Sequence, residues 1–160
     1  MYIHEINQLP MPRIEEEIQQ VEFKDLYHKA VVNLLYTHSY LVTFQNSLFK
    51  PYDLSPEQYN VLRILRGQGG KPATMAAIQE RMLNKMSNAS RLVDKLEAKS
   101  LLKREECSLD RRQVDVVITK KGLEVLGILE SQIMALNQEM IHLDEKELLL
   151  LNGLLDKLRG

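Results

Sequence analysis

The sequence predicts a mainly helical chain with one small β-hairpin, and three observations carry that prediction. Residues 86–99, wound as a helix, gather Met86, Ala89, Leu92, Val93 and Leu96 within roughly 120° of arc. Farther on, Val114, Val116 and Ile118 alternate with Asp115, Val117 and Thr119, the period of two that belongs to a strand. On both sides of this pair, long stretches repeat apolar residues at i, i+3 and i+4. A helix, a short turn, a second helix and a hairpin make a winged helix-turn-helix. The flanking helices are more than that fold needs, so they are expected to form a dimerisation region.

Taken in order, residues 1–12 read as an extended arm, since Pro10 and Pro12 discourage a helix. Residues 13–20 suit a short helix. A long one begins at Phe23, with Leu26, Tyr27, Ala30, Val31, Leu34, Leu35, His38, Leu41 and Val42 at helical spacing, and ends near Phe49, before Pro51. Ser55-Pro56-Glu57-Gln58 is a helix start: Ser55 caps, Pro56 takes the first turn and Gln58 can close a capping box. That helix carries Tyr59, Leu62, Ile64 and Leu65 and stops before Gly67-Gln68-Gly69-Gly70. Thr74 is the expected cap for the next, with Met75, Ile78 and Met82 on one side. The linker 82–85 is short, as a helix-turn-helix requires.

Two strand-like runs follow, 101–106 and 114–119, separated by 107–113 with the charged tip DRRQ. Thr119 then caps a helix over 120–141, with Leu123, Leu126, Ile133, Leu136 and Met140 among its apolar positions. Asp144 and Glu147 form another capping box, opening a last helix with Leu148, Leu151, Leu154, Leu155 and Leu158. Its four consecutive leucines, 148–151, make it apolar nearly all round, so a partner must cover it. The expected organisation is residues 1–49 for dimerisation, 53–121 for the winged helix-turn-helix, and 122–160 for dimerisation again.

Composition narrows the function. The 160 residues are 44% hydrophobic and 27% charged, with a net charge of −1, ordinary for a globular protein. The charge is unevenly placed: residues 81–121 hold 11 Lys+Arg against 6 Asp+Glu, so positive charge concentrates on the proposed reading head. One cysteine, Cys107, rules out an intrachain disulfide and fits a reducing compartment. The N-terminus has no basic segment followed by an apolar core, and no apolar run nears the ~18 residues of a membrane span. A cytoplasmic location is expected. Catalysis is not: Gly67–Gly70 lacks the Lys-Ser/Thr ending and preceding strand of a phosphate-binding loop. The histidines at 4, 28, 38 and 142 form no zinc-like cluster with the single cysteine, and no activated nucleophile stands out. Neither cofactor nor metal is expected.

The outer face of the 86–99 helix presents Ser87, Arg91, Asp94, Lys95 and Ala98, flanked by Asn88 and Ser90. An ordinary solvated face would more often show long Glu/Lys pairs at i,i+4. Short hydrogen-bonding side chains and one Arg near a helix N-terminus are what a recognition helix carries into the major groove. Ser87, Asn88, Ser90, Arg91 and Lys95 are therefore the candidate DNA contacts. Arg91 can grip a guanine edge bidentately or clamp a phosphate.

The runs SNASRLVDKLEAKSLLKRE and LDRRQVDVVITKKG resemble the MarR (multiple antibiotic resistance regulator) family of bacterial transcription factors. That family's recognition helix reads roughly Ser-x-x-Ser/Thr-Arg-Leu-Val-Asp-x-Leu-Glu-x-Lys-Gly-Leu, matched here by Ser87, Ser90, Arg91, Leu92, Val93, Asp94, Leu96, Glu97, Lys99 and Leu101. Its wing reads Asp-x-Arg-x-x-x-Val-x-Leu/Ile-Thr-x-x-Gly, matched by Asp110, Arg112, Val116, Ile118, Thr119 and Gly122. The resemblance covers residues 22–160 in element order. One position departs: Ser100 stands where the family has a glycine suited to a left-handed helix cap. The resemblance implies that Arg112 lies in or near the minor groove, with Asp110 orienting it or bracing the turn; Arg111 is expected to meet phosphate.

The resemblance also implies a homodimeric repressor on a near-palindromic operator in double-stranded DNA, released by a small lipophilic or aromatic ligand. Tyr27, His28, Tyr36, His38 and Tyr40 on the first long helix could supply aromatic walls and a polar handle for it. The competing reading makes the same side chains core or dimer contacts, because Tyr27 and His38 fall in the apolar stripe. Family redox sensors carry a cysteine at the start of the first long helix, which this sequence lacks. Cys107 sits beside Glu105 and Glu106, with no obvious source of a lowered pKa. The alternative function is a winged-helix module that contacts protein rather than DNA, against which the basic balance of the reading head argues.

Overall fold

The computed structural model describes residues 12–106 and 114–160. The chain divides into two compact units, Met1–Phe44 and Gln45–Gly160, and the boundary falls inside a long helix. The expected extended arm over 1–12 lies almost wholly outside the described residues.

The first unit contains α1, Ile14–Glu17, and most of α2, Leu26–Phe49. Asp25 starts α2, its carboxylate accepting from the His28 N–H at 2.7 Å. Lys29 and Tyr36, two turns apart on one face of α2, hold α1: Lys29 Nζ lies 2.5 Å from Glu15 Oε1, and the Tyr36 hydroxyl donates to the Glu17 carboxylate. The apolar stripe expected along α2 is present in sequence but is not buried by the single chain. Leu26 and Tyr27 are 82% and 86% exposed, and Val31, Leu34, Leu35, Tyr40 and Leu41 are also exposed; Phe49 alone is buried.

The second unit is built around α3, Pro56–Arg66. A 3-10 turn at Lys50–Tyr52 and a left-handed Asp53 lead into it. The expected capping box forms, with Ser55 Oγ accepting from Gln58 N and Gln58 Oε1 accepting from Ser55 N. Val61, Leu62, Ile64 and Leu65 of α3 are buried, and around them pack Ile78, Met82, Val93, Leu96, Leu102, Val116, Leu126 and Leu129. These come from α4, Met75–Arg81; the turn after it; α5, Ala89–Ala98; β2, Leu102–Glu106; β3, Val114–Ile118; and α6, Lys120–Met140. β1, Ala73–Thr74, pairs antiparallel with β3, which pairs antiparallel with β2, giving the strand order β1-β3-β2. The sequence announced the hairpin but not β1, because two residues show no periodicity.

Two local details depart from expectation. α5 begins at Ala89, not 86, because Asn88 caps it by accepting from the Arg91 N–H at 3.0 Å. Met86 therefore lies in the preceding turn and is 92% exposed, not part of the core stripe, which Ala89, Val93 and Leu96 supply. Ser100, meanwhile, adopts the left-handed conformation of the glycine it replaces, at φ 59°. Ser100 N donates to Glu97 O at 2.8 Å and Leu101 N to Leu96 O at 3.0 Å, the paired bonds of a Schellman cap. Leu96 and Leu101 are both buried beneath it.

The cap is locked from the far side. Thr119 donates through N to Leu101 O at 3.1 Å and through its hydroxyl to Ser100 O at 2.8 Å, while also capping α6 by accepting from Gly122 N. Gly122 has to be glycine: a Cβ there would lie 2.1 Å from Leu101 O. α6 is joined to α3 by Arg66 and Glu130, whose carboxylate takes two guanidinium hydrogen bonds, and that pairing holds the Glu130 carboxyl below its ordinary range. α7, Glu145–Arg159, opens on the expected Asp144–Glu147 box and buries none of its residues within the chain. Among the described residues no helix is long and apolar enough to cross a membrane.

Candidate nucleic-acid interface

The helix-turn-helix is fixed by side chains rather than by turn type. Asn60, buried on α3, accepts from Leu83 N at 2.9 Å through its side-chain oxygen. A buried amide needs such a partner, so Asn60 also sets where the chain leaves α4. Gln79 spans the turn, its oxygen accepting from Ala89 N at 3.1 Å and its amide nitrogen donating to Lys85 O at 3.1 Å. Asn84 closes the rest, its side chain accepting from Met86 N at 3.0 Å and its carbonyl from Ser87 N at 3.1 Å. The entry into α5 is a braced turn.

α5 turns Val93 and Leu96 inward and leaves Asn88, Ser90, Arg91, Asp94, Lys95 and Ala98 exposed, with Ser87 half-buried at the start. All five helix candidates, Ser87, Asn88, Ser90, Arg91 and Lys95, thus share one accessible face. Asn88 spends its side-chain oxygen on the cap, which leaves its amide NH₂ for a partner outside the chain. Among the described residues no ion pair or hydrogen bond engages the Arg91 guanidinium or the Lys95 ammonium.

Sequence reasoning missed the anchor of this face, Arg104. From β2 its guanidinium reaches Asp94 and, at 2.5 Å, Glu97 Oε2, while its backbone N–H donates to Glu97 Oε1 at 3.0 Å. The hydrogen bond to Asp94, then that to Glu97, raise the Arg104 pKa. The charge of Asp94, the one carboxylate on the outer face of α5, is answered by this contact. The signal was present as two acids one helical turn apart and an Arg on the next strand, but register alone could not pair them. At the other end Lys99 Nζ lies 2.9 Å from Asp53 Oδ2, which lowers the Asp53 pKa, and Lys121 Nζ donates to Lys99 O at 2.9 Å. Lys50, Lys95 and Lys99 line an open cleft of about 680 Å³ there, with Asp53.

The wing candidates Asp110, Arg111 and Arg112, and Cys107 with them, lie outside the described residues. The strands that carry this tip end on the pair Glu106↔Val114. Of the proposed ligand residues, Tyr27, His28, His38 and Tyr40 are exposed and Tyr36 is half-buried. His28 stacks edge-on against Phe23 and Tyr40 against Phe44, while Tyr36 is engaged by Glu17. A second cleft of about 360 Å³ in the first unit is lined by Glu15, Val21, Phe23, Leu26 and Lys29 among others, and by none of the five.

The sequence pattern of the MarR family matches residues 52–113. A curated relative, the HTH-type transcriptional regulator MhqR of Bacillus subtilis (strain 168), is 33% identical over 82 residues. The match takes in 51% of this chain and 55% of that protein, so it spans little more than half the relative's length. Among solved structures, a MarR transcription factor from Planctomyces limnophilus superposes with a TM-score of 0.64 at 29% identity, covering 84% of this chain and 98% of that one. An organohalide-sensing transcriptional regulator, crystallised with 2,4-dichlorophenol, shares the fold with a TM-score of 0.75 at 21% identity over 96% of this chain and 86% of its own.

Proposed function

This chain belongs to the MarR family of winged-helix transcriptional regulators, and from that premise we propose that it is a homodimeric repressor that reads a near-palindromic operator and releases it on binding a small aromatic ligand. The observation that carries the DNA reading is the outer face of α5. It offers Ser87, Asn88, Ser90, Arg91 and Lys95 from a helix whose start is fixed by Gln79 and Asn60 and whose flank is fixed by Arg104. Donors held on a rigid element lose little freedom on meeting base edges, which is what discrimination among sequences needs.

In this reading residues 53–121 contact DNA, with Arg111 and Arg112 reaching beyond the groove that α5 enters. Residues 1–49 and 122–160 pair two chains, and the protein acts in the cytoplasm. The uncovered apolar residues of α2 and α7 support the pairing, since a second copy would remove them from water. Two-fold symmetry then places half-sites about 10–10.5 bp apart. The test is selection of sites from random duplex DNA by the full chain, followed by a salt titration. Dyad-symmetric sites with a steep salt dependence are expected; sites without dyad symmetry would overturn the dimeric reading.

The ligand response is the finer part. It is supported by the aromatic content of α2, Tyr27, His28, Tyr36, His38 and Tyr40, and by a regulator of the same fold that binds a chlorinated phenol. A ligand acts only through its different affinity for the free and the DNA-bound conformations. Coupling of about 1–3 kcal/mol would weaken operator binding roughly 5- to 150-fold, and DNA must weaken the ligand by the same factor. Titrating substituted phenols and aromatic acids against free protein and against the complex measures both. Equal affinities in the two titrations would exclude induction by that compound.

A further inference from the structure

Met86 is not among the polar contacts already assigned, and it is 92% exposed on the turn that enters α5. Leu83, at the start of the same turn, is 81% exposed. Single exposed hydrophobes are common on protein surfaces, but these two are held out by construction. Asn60 fixes Leu83 N and Asn84 fixes Met86 N, while Gln79 ties Lys85 O to Ala89 N. The bracing leaves the turn little scope to collapse and shelter either side chain.

We propose that Met86 is a specificity-determining residue that packs on the C5-methyl group of a thymine in the major groove. This rests on the DNA reading above. Met86 lies two residues before the Asn88 cap, and the N-terminal end of a recognition helix is the part that contacts base edges. The thymine methyl is the apolar feature of that groove, where the other base edges offer donors and acceptors. Ser87, Asn88 and Ser90 are short and polar; Met86 is long, unbranched and polarisable, able to follow an irregular apolar surface. Charge settles the occupant. The neighbouring Lys85, Arg91 and Lys95 are exposed, and the Asp94 carboxylate is paired with Arg104. Two copies of this basic surface would repel each other, whereas a polyanion is drawn to it.

The experiment uses the full-length chain and a duplex recovered by selection, with its thymines replaced one at a time by deoxyuridine, which removes the methyl and nothing else. At one thymine per half-site, uracil should weaken the wild-type protein roughly 3- to 10-fold, the scale of one buried methyl group. Met86→Ala should bind the thymine duplex weaker by a similar factor and show no further loss with uracil at that position. Met86→Gln, of similar length but polar at its tip, should behave like Met86→Ala. Both substitutions are on the surface and should leave the thermal melt unchanged. If uracil weakens Met86→Ala as much as wild type at every position, Met86 reads no methyl and the assignment falls. Equal affinity of wild type and Met86→Ala for the thymine duplex overturns it too. Loss of salt-dependent duplex binding by the wild type itself would instead remove the DNA reading, and this inference with it.

Discussion

At the scale of single residues, Ser100 shows backbone geometry prevailing over side-chain preference. Its φ of 59° is the conformation a glycine takes without penalty, and the Schellman bonds at Glu97 and Leu96 hold it there. Ser100→Gly should therefore stabilise the protein by about 1 kcal/mol, a rise of about 2–4 °C in Tm for a chain of this size. An unchanged or lower melt would show that the serine hydroxyl makes a compensating contact. In the proposed reading Arg91 meets a base edge, so Arg91→Ala should cost about 1–3 kcal/mol with relaxed preference at one base position. Arg111→Ala, at a tip expected to meet phosphate, should weaken all duplexes alike and reduce the salt slope by about one. Identical profiles for the two variants would mean that the helix face reads no sequence.

Among elements, α5 owes its position to contacts that periodicity does not reveal. Arg104 joins it to β2 and neutralises Asp94 on the face turned outward. In the proposed DNA complex, Arg104→Ala should weaken binding to every duplex by on the order of 1 kcal/mol, because the freed Asp94 carboxylate would then face phosphate. Adding Asp94→Asn should recover part of that loss; a strictly additive double variant would show that charge on α5 is not the cause. α3 and α6 are joined similarly by Arg66 and Glu130. Because Arg66 depresses the folded-state pKa of Glu130, the stability this carboxylate contributes is present above its ordinary value of 4.5 and fades as pH falls through the lower folded value. The stability gap between wild type and Glu130→Gln should accordingly close on acidification, read by denaturant titration at neutral pH and below pH 4. A gap that widened on acidification would reverse the assigned sign.

For the whole molecule, the decisive contrast is between the core of the second unit and the helices that bury little. The core from Phe49 to Leu129 is closed within one chain, and no residue of α7 belongs to it. Leu149, Leu150, Leu151, Leu154 and Leu158 remain exposed, as do Leu26, Tyr27, Val31, Leu34 and Leu35 of α2. If α7 pairs two chains as proposed, removing residues 144–160 should abolish the dimer in sedimentation while the winged-helix core still melts cooperatively. A truncated chain that remained a dimer at the same concentration would assign the pairing elsewhere.

By itself the sequence determined whatever depends on neighbours along the chain. The capping boxes at Ser55 and Asp144, the caps at Thr74 and Thr119, the period of two in β3 and the apolar side of α5 are all local, and each was legible. Residue types alone marked the outer face of α5 as a candidate site, and the resemblance in residues 87–122 added Asp110 and Arg112 to it. Tertiary structure decided what depends on distant partners. β1 exists because Ala73 meets Val116, a pairing across more than forty residues that two residues cannot announce. Arg104 anchors α5 only because the hairpin folds back beside it. Met86 belonged to the apolar side on a helical wheel, yet the Asn88 cap starts the helix three residues later, at Ala89, and leaves Met86 exposed in the turn. Periodicity assigns a face only where the helix exists, and where it begins is settled by which side chains reach the free N–H groups.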